Sequence, residues 1–314
     1  MDVVTIGESM VLFTPQTVGP LRFSDTFHRT VAGAESNVAI ALSRLGHQVG
    51  WISCLGNDEF GLYIRNYIRG EGVDTSKVKF DKNASTALLF KEVTPGGDPK
   101  IYYYRKNSAA SKLSPDDLDE AYISKSKIIH LTGITPALSE TCKKTIYRAM
   151  DIAIKNDVTI VFDPNIRLKL WSKKEAIEVL SDIAMYCDIV MPGLEEGELL
   201  TGETKPDKIA AKLLKGRVQA VVVKLGERGA YYQTKEESAF VKGERVTNIV
   251  DTVGAGDGFA AGFISGKLRG WQYKQAVALG NKIGAYALTV LGDSEGYPYW
   301  SEVNSEYTGK KVLR

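Results

Sequence analysis

Short runs that are apolar, or nearly so, punctuate the chain at Val3–Gly7, Trp51–Leu55, Ile128–Leu131, Val158–Phe162, Ile189–Met191 and Ala220–Lys224. Such a run, without polar alternation, reads as a strand buried on both faces. Between the later runs lie longer stretches of helical period, Glu140–Asn156 and Ser172–Tyr186. Strand alternating with helix predicts a largely parallel sheet with helices on both faces, an α/β fold. Val38, Leu42 and Leu45 recur at helical spacing, and Gly46 closes that helix. Ser114-Pro115-Asp116-Asp117 predicts another helix start, with a capping serine, proline at the first position and acids behind it.

Two regions break the alternation. Met10–Thr30 has no helical period and carries Pro15, Gly19 and Pro20, which predicts short strands and loops standing off the core. Thr86–Val93 and Ile101–Tyr104 read as strands, and the turn chemistry of Thr94-Pro95-Gly96-Gly97-Asp98-Pro99 makes them a hairpin. Together with Met10–Thr30 this hairpin predicts a second, small sheet. Near the other end, Arg245–Val250 has the mixed pattern of a half-buried strand. Phe259–Leu268 is apolar and small, as a close-packed helix is.

Composition narrows the class without naming a chemistry. The 314 residues are 44% hydrophobic and 25% charged, ordinary for one large globular domain or two modest ones. A net charge of +2 gives no bulk attraction to nucleic acid or to an anionic membrane. No signal peptide or spanning helix is evident, so a cytoplasmic enzyme is expected. Cys54, Cys142 and Cys187 are isolated and read as reduced core residues. His28, His47 and His130 show no ligand spacing, and the Asn83-Ala84-Ser85 sequon reads as chance.

The chemistry concentrates at Asp251-Thr252-Val253-Gly254-Ala255-Gly256-Asp257-Gly258. A helix starting near Ala255 leaves its first N–H groups unpaired and aimed outward, and with the helix dipole they form an anion site. A carboxylate repels phosphate, so Asp257 is out of place in a plain phosphate site. It fits one where a hydroxyl must lose its proton while attacking a phosphate. A glycine turn capped by aspartate is the alternative. Three further loops follow strands, Asp163–Arg167, Gly193–Glu196 and Leu225–Gly229. Ligands of parallel sheets bind at the carboxyl ends of strands, so the four converge on one rim. Gly33-Ala34-Glu35-Ser36-Asn37 could offer backbone and the Asn37 amide to sugar hydroxyls, or be a plain helix cap. Asp58 and Glu59 read as helix-start acids. No Gly-x4-Gly-Lys-Ser/Thr and no Gly-x-Gly-x-x-Gly after the first strand is present, which disfavours P-loop NTPases and nicotinamide enzymes.

The stretch from Asp251 to Asp257 resembles the C-terminal signature of the PfkB (ribokinase-like) family of sugar kinases, and Val31–Asn37 resembles its N-terminal signature, with Glu35 where a small residue or proline is usual. The resemblance runs from Val3 to about Asp293. It implies a ribokinase-like three-layer sandwich: a single kinase domain over 1–314, its mostly parallel central sheet carrying a small β-sheet lid from insertions at about 10–30 and 84–106. It implies that Asp257 is the catalytic base and that Gly254, Ala255 and Gly256 form the anion hole. ATP is expected on Asn165, Ile166 and Arg167, on Lys224, Leu225, Gly226, Glu227, Arg228 and Gly229, and on the 254–257 turn. Glu196 aligns with the family's magnesium glutamate, although Gly193 replaces its asparagine partner, and Glu195 stands beside it as a second acid for that role.

The substrate expectation rests on charge. Arg105 after Tyr103 in the lid and Arg167 on the rim are two guanidinium groups facing one pocket, which suits a carboxylate and not a neutral sugar. Together with Gly33, Ala34, Glu35, Ser36, Asn37, Leu89, Tyr103, Tyr104 and Asp293, they resemble the branch acting on 2-keto-3-deoxygluconate. The expectation is a kinase for its terminal hydroxyl. A fructokinase or other family kinase is the alternative, and a catalytically silent sugar-binding protein a more distant one. Lid strands with free edges lead us to expect a homo-oligomer.

Overall fold

The computed structural model describes residues 1–93 and 100–308; the turn expected at Thr94–Pro99 lies outside the described residues. The strands are β1 Val3–Ile6, β2 Met10–Pro15, β3 Phe27–Ala32, β4 Val49–Gly56, β5 Val78–Asp81, β6 Leu88–Glu92, β7 Lys100–Tyr104, β8 Ile128–Thr132, β9 Thr159–Asp163, β10 Ile189–Val190, β11 Ala220–Lys224, β12 Gly229–Thr234 and β13 Ser238–Lys242. The helices are α1 Ala34–Arg44, α2 Glu59–Gly70, α3 Glu120–Ile123, α4 Ile134–Leu138, α5 Glu140–Lys155, α6 Lys173–Tyr186, α7 Leu194–Thr201, α8 Pro206–Leu213, α9 Ala255–Leu268, α10 Tyr273–Ala287 and α11 Trp300–Thr308.

The large sheet has nine strands in the order β13-β12-β11-β10-β9-β8-β1-β4-β5, all parallel except β12, which runs against both its neighbours. Its two faces carry separate apolar clusters. Val3 and Trp51 pack with α1, α2, α9 and α10, while Val4, Ile6 and Ile52 pack with α5, α6 and α8. Burial on both faces is why these strands appear in the sequence as nearly continuous apolar runs. The small sheet has the order β3-β2-β6-β7, with β2 and β6 parallel and the outer pairs antiparallel.

Two expectations fail. Residues 243–250 form no strand and are mostly exposed. The Val250 N–H donates to the Leu288 carbonyl at 2.8 Å, so this segment crosses to the end of α10 instead of joining the sheet. The turn at Gly254 is therefore held by helix packing. Gly258 and Gly262 of α9 sit so close to α10 that a Cβ on Gly262 would fall 2.7 Å from the Leu279 carbonyl oxygen. At Ser114 the cap forms, but only a single turn, Pro115–Asp117, follows. Leu118 is extended, and Asp119 caps the short α3 instead.

Candidate active site

A cavity of about 810 Å³ lies between the carboxyl ends of the central strands and the inner face of the small sheet. One end is built on the start of α9. Gly254 caps this helix with φ of 80°, a left-handed conformation that glycine adopts without strain. A Cβ there would also fall 2.0 Å from the Asp293 carbonyl oxygen. The Tyr297 hydroxyl donates to the Gly254 carbonyl at 2.7 Å, and the first intrahelical bond runs from the Gly258 N–H to that same carbonyl. The amides of Ala255, Gly256 and Asp257 precede that bond and stand at the positive end of a 14-residue helix.

Asp257 and Asp293 share one donor. Asn37 Nδ2, on the first turn of α1, lies 2.8 Å from Asp257 Oδ2 and 3.4 Å from Asp293 Oδ2. Burial pushes the Asp257 carboxyl up to about 7 against the Asn37 hydrogen bond, and the charges of Asp163 and Asp293 push the same way. Burial likewise pushes Asp293 up to about 7, with Glu295 adding to it. Across the cavity Lys224 Nζ pairs with Asp163 Oδ2 at 2.5 Å. Burial pulls this ammonium down, but Asp163, Glu196 and Asp257 more than offset that, and its pKa is raised. Lys224 Nζ would lie 3.9 Å from a Cβ on Gly256, so its ammonium stands beside the turn that starts α9.

The rim loops converge as the alternating pattern implied. Asn165 and Arg167 after β9, Gly193, Leu194, Glu195 and Glu196 at α7, and Leu225, Gly226 and Arg228 after β11 line the cavity. Asn165 adopts φ of 36°, a left-handed angle that asparagine tolerates. Glu196 bridges two backbone amides: Oε2 accepts from the Gly193 N–H at 2.7 Å at the start of α7 and Oε1 from the Ile166 N–H at 2.8 Å. Each oxygen keeps a further lone pair. Among the described residues, no three His, Cys, Asp or Glu side chains are grouped to hold an ion.

Gly33, Ala34, Leu89, Tyr103 and Arg105 line the other end. Arg105 reaches Glu8 through one terminal nitrogen, and Ser108 donates to the same carboxylate. Glu8, two residues past β1 on the rim where ligands bind, was given no site role from the sequence, and Asp163, the last residue of β9, was read only as the start of a rim loop. Arg167 is exposed at the mouth.

Several expected site residues stand elsewhere. Tyr104 is 66% exposed on the outer face of the lid, packed edge-on against Phe90, because alternate residues of a strand face opposite ways. Ser36 is buried behind the cavity wall, bonded to Ser9 and to the Gly33 carbonyl. Glu35 borders the cavity, but its carboxyl turns inward to accept from Thr132 at 2.6 Å and Thr135 at 2.7 Å. Ile166 contributes only its N–H to Glu196. Glu227 and Gly229 do not border the cavity, since the single turn Gly226–Arg228 puts Glu227 outward and Gly229 begins β12. Ala255 lies behind the turn, its carbonyl against Gly284.

An anion turn, a buried acid beside it and a lidded cavity on a ribokinase-like α/β sandwich define a carbohydrate kinase. The chain belongs to the pfkB family of carbohydrate kinases, whose pattern it matches over residues 1–300. It is 46% identical over 316 aligned positions to the 2-dehydro-3-deoxygluconokinase of Bacillus subtilis (strain 168), covering 100% of this chain and 97% of that one. It is 35% identical to the 2-dehydro-3-deoxygluconokinase of Thermoproteus tenax over 302 positions, 95% and 91% of the two chains. Among solved structures it superposes with a TM-score of 0.91 on an E. coli protein taken to be a ribokinase II, in complex with ATP and Mg2+, at 30% identity over 98% and 99% of the chains. Among the described residues no helix is long and apolar enough to cross a membrane.

Proposed function

We propose that the chain transfers the γ-phosphoryl group of ATP to the terminal, 6-hydroxyl group of 2-keto-3-deoxygluconate (2-dehydro-3-deoxygluconate), giving 2-keto-3-deoxy-6-phosphogluconate and ADP. The observation that carries this reading is the pairing of two ends of one cavity: a buried acid beside free helix amides at one and Arg105 at the other, with Arg167 exposed at the mouth. Asn37 holds Oδ2 of Asp257, which leaves Oδ1 to take the hydroxyl proton. A base whose pKa lies near neutrality is suited to that exchange. The freed oxygen attacks the γ-phosphorus as the bond to the β-phosphate breaks. The amides of Ala255, Gly256 and Asp257 and the Lys224 ammonium face the oxygens that carry the moving charge.

At the acceptor end, Arg105 keeps most of its donors beyond the one on Glu8, and its buried Nε has no partner among the described residues. Asn37 Oδ1 is a buried acceptor in the same condition. Unpaired buried polar atoms are uncommon in folded proteins, and a sugar acid supplies both a carboxylate and hydroxyl groups to satisfy them. Arg105 and Arg167 then orient the carboxylate so that the far hydroxyl meets the phosphate. Leu89 and Tyr103 line the acceptor's end from the lid, and Asp293 does so beside the base. Asn165, Leu225, Gly226 and Arg228 face ATP from the rim.

The donor set suits magnesium: Glu196, each of whose oxygens keeps a lone pair, would hold it, with Glu195 alongside. Bound there, the ion would neutralise charge on the β- and γ-phosphates. A reaction that consumes ATP supports a cytoplasmic location. β7 is an edge of the small sheet with Tyr102 and Tyr104 exposed, and we infer self-association through it, to be read by light scattering.

The test is ADP release with the keto acid, fructose and ribose at fixed ATP. We expect the keto acid to exceed both sugars in kcat/KM. Preference for fructose or ribose would make this a different kinase of the family, and no ADP release with any acceptor would make it a sugar-binding protein.

A further inference from the structure

Among the described residues, the strands of the lid turn a mostly apolar face to the cavity. Met10, Leu12, Leu89, Ile101 and Tyr103 face inward, and Lys91 shares their face at 5% exposure. Its ammonium crosses from β6 to Asp251, itself 7% exposed, making a buried ion pair between the lid and the segment that leads into α9. Asp251 has two backbone partners. The Val253 N–H donates to Oδ1 at 3.3 Å and the Gly292 N–H to Oδ2 at 3.4 Å.

Those two amides belong to the strips of backbone that bracket the anion turn. Val253 precedes Gly254. Gly292 precedes Asp293, whose carbonyl abuts Gly254 and whose carboxylate shares Asn37 with Asp257. A carboxylate in so dry a place holds its charge only beside a cation. Lys91 is the cation that reaches it, and it arrives on a strand of the lid and not of the main sheet.

We propose that Lys91 is a positioning residue for phosphoryl transfer: delivered by the lid, its ammonium holds the Asp251 carboxylate in place and thereby sets the Val253 and Gly292 amides that shape the turn at Gly254. The lid then does more than cover the acceptor. With it in place the anion turn has its working shape, and without it Asp251 loses its counter-ion and the turn loosens. ATP is thus held for transfer only when the acceptor's chamber is also formed.

This inference rests on the kinase reading above, so its test has one arm that needs turnover and one that does not. In the ADP-release assay Lys91→Met should lower kcat roughly 10–100-fold, as a misplaced reacting group does. The factor should be the same for the keto acid and for any neutral acceptor, with KM for the keto acid little moved, and Lys91→Arg should restore most of the rate. Independently, hydrogen exchange at the Val253 and Gly292 amides should quicken in Lys91→Met. If burial of an unpaired Asp251 prevents folding, Lys91→Met/Asp251→Asn removes both charges and should fold yet remain slow. A rise in KM for the keto acid alone would make Lys91 a substrate ligand and overturn the proposal. Unchanged exchange, or wild-type turnover in the double variant, would overturn it as well. A wild-type protein that released no ADP would defeat the kinase reading, while the exchange result would still decide the coupling.

Discussion

A Cβ placed on Gly7 would lie 2.1 Å from Cδ of Glu35: the residue that ends the first strand run and the first-turn acid of α1 occupy one space. Glu35 is fully buried, and burial raises its pKa against the hydrogen bonds from Thr132 and Thr135. A bulky acid at this step of the N-terminal signature is tolerated because Gly7 has no side chain. Gly7→Ala should therefore cost about 1–3 kcal/mol of stability, as overpacking does. In a Glu35→Ala background the same change should cost much less. Urea unfolding of the four proteins in the cycle measures this, and strictly additive losses would show that the two residues do not share the space.

Asp257→Asn should lower kcat by about 10²–10⁴-fold, the usual contribution of a positioned base. The substitution keeps the acceptor oxygen that Asn37 holds, so ATP affinity should change little. Calorimetric titration with a non-hydrolysable ATP analogue, beside the rate assay, separates the two effects. Near-normal turnover would remove the base assignment.

The pH dependence follows from burial. The rate should fall on the acid side through about pH 7 as Asp257 takes up a proton. Because Asp293 titrates in the same range and shares Asn37, the limb belongs to the pair. Asp293→Asn removes one of the charges that push Asp257 upward, so the limb should move to lower pH. A limb that stayed in place would break the link between the two acids.

Stability carries the opposite sign. The folded-state value of Asp257 is raised above that of an unfolded aspartate, about 3.9. Its contribution to stability is full below that value and is lost as pH rises through about 7. Asp257→Asn should accordingly raise Tm more at pH 8 than at pH 4. Equal shifts at both would show that the acid is not held protonated by its surroundings.

Arg105→Ala should raise KM for the keto acid far more than KM for a neutral sugar, and Arg167→Ala should act in the same direction. The two differ in their effect on the fold. Arg105 is paired with buried Glu8, so its loss strands a carboxylate and should also lower Tm; Glu8→Gln in the same chain should recover Tm without recovering KM. Arg167 is exposed and should leave Tm unchanged. Equal effects of Arg105→Ala on charged and neutral acceptors would sink the carboxylate argument.

What local pattern dictates was readable from the chain. Nearly continuous apolar runs marked the strands because a sheet covered on both faces leaves few polar positions, as Val3 and Val4 show by packing into opposite clusters. The rim loops were readable because a parallel sheet puts the carboxyl ends of its strands together. The helix start at Ala255 was readable because glycine and an acid at that point serve the same unpaired amides. The order of β13 to β5, the side on which Tyr103 and Tyr104 part, and the failure of residues 243–250 to become a strand were not.

Those features depend on partners distant in the chain, and short-range patterns carry no information about them. Asn37 meets Asp257 across 220 positions, Lys91 meets Asp251 across 160, and Glu8 takes Arg105 from the end of the lid and Ser108 across 100. Each of these side chains has a plain surface reading when taken alone. Packing removes them from water together, and only then do their charges need one another, which is what turns separate polar residues into a site.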